Sequence, residues 1–310
     1  MSFTDQLHKW LSDPPPEHVF EMTEYALAAA SSRTPTEQKK QLLDERGLMA
    51  SPSAPNVLKP QLYREALEKT SGSAGKRPNS ALVIPDYAVR MAVLDFEEFP
   101  AGEAERMALL RFRLRKAVPF PIDEAQVSYS VQFVGEKLVE VLVVAMARPI
   151  LEDYERIFLD AGYRLGMVLP SIMAALSLCE VTEPNLTILA KATGFTLTVA
   201  LMEPGRVRLI RCVDLASGEE LAGDTPARFT AEQSAATLMP LIQQTLAYAE
   251  DQLTKPVKQI LLSGFENETE NLGARIVNDF GVPFRTVRSR FGSASVENVG
   301  LLGMLEKYAA

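Results

Sequence analysis

The side chains in this sequence best equipped for acid–base or metal chemistry are carboxylates in adjacent pairs: Glu97-Glu98, Asp123-Glu124 and Glu219-Glu220. Two such groups beside a γ-phosphate would supply a general base and a Mg²⁺ ligand for phosphoryl transfer. Adjacent carboxylates on a strand point to opposite faces, however, and on loops they are solvated. Histidine chemistry has little material. His8 and His18 both precede the first apolar strand, which leaves no interior imidazole as base or zinc ligand. Cys179 and Cys212 lie far apart with no CxxC, which argues against a disulfide framework or a zinc site and fits a reducing compartment. Gly75-Lys76 in "SGSAGKRPNS" imitates part of a phosphate loop. It lacks the first glycine at the right distance and a Ser or Thr after the lysine, so it reads as a surface loop.

Whatever positions these groups must be a packed α/β body. At 310 residues with 47% hydrophobic content, the chain can bury the core of two modest domains, or of one domain with an insertion. A net charge of −8 argues against nucleic acid as a main partner. No stretch approaches 18 uncharged apolar residues, and "MSFTDQLHKWLSDPPP" has no signal-peptide core, so a cytoplasmic protein without a membrane span is expected. Phe3, Leu7, Trp10 and Leu11 share a helical face, read as packing on its own domain in preference to a membrane or partner anchor.

Along the chain, "HVFEMTEYALAAA" reads as a strand or hairpin, and residues 31–56 as loop around a short helix. "ALVIPDYAVRMAVLDF" reads as two strands around Pro85-Asp86. In "EAERMALLRFRLRKAV", Met107, Leu110, Leu114 and Ala117 follow a helical period, and Arg106, Arg111, Arg113, Arg115 and Lys116 read as a solvated face or an anionic-partner patch. Pro119 and Pro121 stop that helix before "EAQVSYSVQFV" restarts as a strand, paired to "KLVEVLVVAMA" through Gly135-Glu136. "PILEDYERIFLDAG" is a helix ending at Gly162. The second half gives three strands, a long helix interrupted at Pro240, then strand, helix, strand and closing helix. Strands mixed with strand–helix units make an α/β pattern, with no short-period repeat.

Several segments together resemble the PilM family of type IV pilus assembly proteins, relatives of the cell-division protein FtsA with an actin-like fold. The nearest stretch is "LVIPDYAVRMAVLDFEEFP…KAVPFPIDEAQVSYSV". The resemblance implies an actin-like two-lobed α/β fold with an inserted 1C-type subdomain. It divides the chain into an N-terminal tail (1–16), subdomain 1A (17–80 and 163–185), the inserted subdomain (81–162) and a second lobe (186–310). On this reading Pro119-Phe120-Pro121 swings the chain from the helix of the inserted subdomain into its sheet.

The actin-like fold places nucleotide between its lobes, with two Asp-x-Gly hairpin turns at the phosphates and a Gly-Gly turn at the adenosine. Carried onto this sequence, these cofactor positions are Glu21 and Thr23 in the first hairpin, Lys191, Thr193 and Gly194 in the second, and Ser263-Gly264-Phe265 after the late strand. Each departs from the pattern. Thr23 puts a side chain where backbone would meet phosphate, Glu24 adds a repelling charge, and Ala28 stands where relatives carry lysine. Lys191 replaces a carboxylate and would have to meet phosphate directly, and Phe265 would either stack on adenine or block it. Weak or absent binding of ATP with Mg²⁺, no catalytic residues and no resident metal are therefore expected. The implied function is a cytoplasmic scaffold, a pseudo-ATPase peripheral to the inner membrane. It would bind the cytoplasmic N-terminal peptide of a PilN-like membrane protein and other pilus components in a groove of subdomains 1A and 1C, with contributors at 86–91 and 120–129. The alternatives are an active actin-like ATPase or sugar kinase, and a GspL-like cytoplasmic assembly protein of type II secretion.

Overall fold

The computed structural model describes residues 15–71, 78–181, 185–193, 195–215 and 231–309. The readings made above for Phe3 to Leu11, Gly75-Lys76, Gly194 and Glu219-Glu220 lie outside the described residues. In chain order the elements are β1 (His18–Thr23), β2 (Ala26–Ser31), β3 (Thr34–Leu42), α1 (Pro60–Ser71), β4 (Asn79–Ile84), β5 (Arg90–Phe96) and α2 (Glu103–Leu114). Next come β6 (Gln126–Val134), β7 (Val139–Met146), α3 (Arg148–Asp160), β8 (Arg164–Pro170) and α4 (Ser171–Ala175). The last third holds β9 (Leu186–Thr193), β10 (Thr196–Glu203), β11 (Arg206–Asp214), α5 (Ala231–Tyr248), β12 (Val257–Ser263), α6 (Thr269–Phe280), β13 (Phe284–Thr286), the two-residue strands β14 (Arg288–Ser289) and β15 (Gly292–Ser293), and α7 (Val299–Tyr308).

Two five-stranded sheets form the lobes, ordered β3-β2-β1-β4-β8 and β11-β10-β9-β12-β13. In both, three antiparallel strands are followed by two parallel ones, so the halves share one topology that no sequence repeat announces. The central strands are covered on both faces, which is why β1, β4, β9 and β12 read as apolar runs rather than as clean alternations. One face of the first sheet packs Phe20, Leu27 and Leu82 against Tyr63 of α1 and Tyr154 and Phe158 of α3. The other packs Val19, Ala28 and Val83 against Leu301, Met304 and Leu305 of α7.

The inserted subdomain is a separate sheet, β5-β7-β6, whose apolar face is covered by Leu110 and Leu114 of α2. Within the segment 81–162, β4 belongs to the first lobe's sheet and α3 to its core. The helix stops at Leu114, before either proline. The backbone N–H groups of Ala117 and Val118 both return to the carbonyl of Leu114, and the prolines carry the chain onward to β6.

Two local expectations change. The segment read as loop around a short helix contains β3, a nine-residue edge strand whose polar, lysine-bearing composition suits an edge and hides its strand character. Helix α5 runs through Pro240 without a break. Pro240 and Ala236, whose carbonyl loses its donor, are both exposed, so water can satisfy it. In β6 the polar residues Ser130 and Gln132 are buried. Gln132 clasps the backbone of Val207 in β11, donating to its carbonyl (3.0 Å) and accepting from its N–H (2.8 Å). Beside it Glu140 bonds Arg206 (2.9 Å) and Arg208 (2.7 Å), so the inserted subdomain is fixed to the second lobe.

Candidate functional site

The parallel register of β1 with β4 and of β9 with β12 brings four strand ends to the cleft between the lobes. Glu21 lies near the end of β1, buried, and its carboxylate accepts from Ser171 Oγ (2.7 Å) and from the backbone N–H of Leu301 (2.7 Å). It thereby caps the N-terminus of α7, where a carboxylate meets unpaired N–H groups and the positive end of the helix. Burial raises its pKa, opposed by these hydrogen bonds and by Lys191. The neighbouring Gly300 is forced by this contact, because a Cβ there would lie 2.8 Å from Glu21 Oε1 and 2.5 Å from Val83 Cγ1. Thr23 is buried; its carbonyl accepts from Tyr63 OH (2.6 Å).

Lys191 is fully buried and points back across the cleft to Asp86 at 2.8 Å, itself fully buried just after β4. The Asp86 carboxylate also accepts from Thr198 Oγ1 (2.7 Å) and from the backbone N–H of Ile172 (2.7 Å). Lys191 further donates to Thr193 Oγ1 (3.3 Å), which bonds Thr196 Oγ1 (3.2 Å). One carboxylate therefore joins the first lobe at β4 and α4 to the second at β9 and β10. The sequence reading placed Asp86 only at a turn and in the groove range. The available signal was the lone lysine in the apolar strand "LTILAKAT", since a buried ammonium demands a buried anion.

Glu24 in the β1–β2 turn is buried, its carboxyl pushed up to about 7 by burial against the pull of Arg46 and Lys191, and one of its oxygens has no partner. Arg46 lies over the ring of Phe195 (3.8 Å), and Tyr25 approaches the same ring (6.4 Å between centroids). The two hairpin turns thus meet through side chains. At the end of β12, Ser263 pairs with Lys191 in register. Gly264 has φ +79°, and a Cβ there would lie 1.9 Å from the carbonyl oxygen of Ala192. Phe265 neither lines an open surface nor stands free to stack on a base; it is buried in the second lobe's core with Leu262, Leu272 and Ile276. The exposed pairs Glu97-Glu98 and Asp123-Glu124 lie on the inserted subdomain, and the described residues contain no cluster of three metal-ligating side chains.

A second site is a groove of about 690 Å³ between the first lobe's sheet and the inserted subdomain. It lies between two strands that end their sheets, β8 and β6. The floor is apolar, with Met107, Val127, Val144, Met146, Leu151 and Met173, and the rim carries Glu103, Glu152 and Glu155 against a lone Arg148. Burial and the neighbouring Glu152 raise the pKa of Glu155. Tyr129 donates to Glu103 (2.6 Å). Val89 and Gln126 to Tyr129 fall within both expected contributor ranges, whereas the β8 and α3 walls were not anticipated.

No family model matches the chain, and no curated protein does. Solved structures do. It is similar to the "PilM-PilN type IV pilus biogenesis complex" (TM-score 0.70, 16% identity, covering 96% of this chain and 98% of that one). A Bacteroides thetaiotaomicron protein with actin-like ATPase fold matches with TM-score 0.53 and 11% identity over 98% of both chains. The cytoplasmic domain of EpsL, an inner membrane component of the type II secretion system of Vibrio cholerae, matches with TM-score 0.50 and 12% identity over 93% of this chain and 94% of that one. With paired lobes of one topology and a small inserted sheet, the chain has the actin-like fold that its PilM-like sequence pattern implied.

Proposed function

We propose that this protein is a scaffold of a type IV pilus assembly complex that holds an extended segment of a PilN-like inner-membrane protein in the groove between β8 and β6. The observation that carries the reading is the groove itself, where two strands that end their sheets among the described residues flank an apolar floor. An extended peptide can pair its backbone with such an edge while alternate side chains fill apolar pockets. The acidic rim of Glu103, Glu152 and Glu155 selects a segment that also carries Lys or Arg, as the cytoplasmic flank of a membrane span does. The fold's likeness to a PilM–PilN complex supports the partner class. The protein would then sit on the cytoplasmic side of the inner membrane through that partner, in contact with other pilus components.

The same reading takes it as a pseudo-ATPase. The cleft residues do not fit ATP with Mg²⁺. The ammonium of Lys191 is committed to Asp86, Glu21 is committed to α7, and Glu24 adds a carboxyl where phosphate would come. Calorimetric titration with ATP and Mg²⁺ tests this, and micromolar binding would overturn it.

The groove is tested by titrating a synthetic peptide of the PilN-like protein's cytoplasmic N-terminus. Saturable binding is expected, weakened at least about tenfold in the Glu152→Lys/Glu155→Lys protein. No binding, or binding indifferent to the charge reversal, would refute the assignment. Likeness to the EpsL cytoplasmic domain favours one second reading, the same scaffolding role in a type II secretion assembly. Titration with the corresponding secretion-system peptide separates the two.

A further inference from the structure

We propose that the outer face of α2 and the turn that follows it form a docking surface for an anionic lipid bilayer, independent of the groove's occupant. Phe112 is 71% exposed, and it is the only aromatic among the large apolar side chains exposed on the described residues. It sits in a run, Arg106 to Pro121, with five basic residues and no acidic one, in a chain whose net charge is −8. Arg106 is occupied elsewhere, donating to the carbonyl of Pro100 (2.5 Å) and reaching Tyr129. Arg113 lies over the Phe96 ring, and Arg115 forks onto Asp123, both remaining exposed. Lys116 is exposed and makes no ion pair among the described residues, Arg111 is half-buried with its Nε enclosed, and Ala117 and Pro119 beside Lys116 are exposed.

Basic side chains near a helix C-terminus offset its dipole, which accounts for Arg111 and Arg113. It accounts neither for Lys116, beyond the last turn, nor for a phenylalanine held in water. A bilayer accounts for both. The ring settles at the headgroup level while the cations meet lipid phosphates. Glu105, two turns back on the Phe112 stripe, sets the orientation with the C-terminal end of α2 toward the membrane. The opposite side of the same helix gives Glu103 and Met107 to the groove, so a bilayer held here lies one helix away from it.

The test is co-sedimentation of the full chain with vesicles of phosphatidylcholine alone and of phosphatidylcholine with phosphatidylglycerol. Binding is expected only to the anionic vesicles and is lost at high salt. Lys116→Gln should weaken partition about fivefold and Phe112→Ala about tenfold. Val134→Ala, which trims an exposed side chain on the β6–β7 hairpin, should change nothing. Absence of binding to anionic vesicles, or equal binding to both kinds, would overturn the proposal. So would a Phe112→Ala protein that partitions normally but loses a dimer in light scattering, because that face would then belong to a second copy.

Discussion

Removing the ammonium of Lys191 is the sharpest perturbation this structure offers. Lys191→Met keeps the length of the side chain and deletes the charge, leaving the Asp86 carboxylate fully buried with only Thr198 Oγ1 and the Ile172 N–H as donors. Stranding one member of a buried pair costs about 3–5 kcal/mol. That is a large share of the roughly 5–15 kcal/mol by which a folded protein is stable. For a chain of 310 residues, the entropy of unfolding at about 2.1 cal/mol/K per residue turns this into a fall in Tm of about 5–8 °C. The assay is thermal and urea unfolding of the wild type, Lys191→Met, Asp86→Asn and the double variant. Because the cost lies in the unpaired charge, the double variant should be more stable than the sum of the singles by at least about 2 kcal/mol. Single variants within about 1 kcal/mol of wild type, or strict additivity, would refute the assignment of this pair as the tie between the lobes.

Two further outcomes follow from the cleft. The Glu24 carboxyl has a folded pKa of about 7, above its ordinary value, so the folded state binds its proton more tightly than the unfolded chain does. Its favourable contribution is full below the ordinary carboxylate range and is lost as pH rises through about 7, up to about 3 kcal/mol. Urea midpoints should decline over that window, and Glu24→Gln should flatten the decline; a midpoint rising from pH 5 to pH 8 would contradict it. Gly264→Ala puts a Cβ against the Ala192 carbonyl at a positive φ and should cost more than about 2 kcal/mol in the same assay.

The fold was legible where period and punctuation agreed. The hairpin at residues 18–30, the helix of Met107, Leu110 and Leu114, and the strands on either side of Gly135-Glu136 follow from local chemistry. Strand β3 was not legible, because an exposed edge tolerates the lysines and glutamines of a loop. The shared topology of the two lobes was hidden too, since twofold duplication of a sheet needs no repeated residues, only repeated burial. At the cleft, the departures at Glu21, Thr23 and Lys191 could be read from the sequence, but their partners could not. Asp86, Ser171 and Leu301 lie far along the chain from the groups they bond, and only the fold supplies those distances.

The bond from Glu21 to the backbone of Leu301 spans 280 residues of sequence. Strand β1 leaves the ribosome well before α7, yet Val19, Val83 and Leu301 share one layer of core. During synthesis, then, one face of the first sheet waits uncovered while the inserted subdomain and the second lobe form. Apolar faces exposed in this way are where chains aggregate or recruit chaperones. The cap on α7 acts as a latch that can close only after the inserted subdomain and the second lobe's strands have been made.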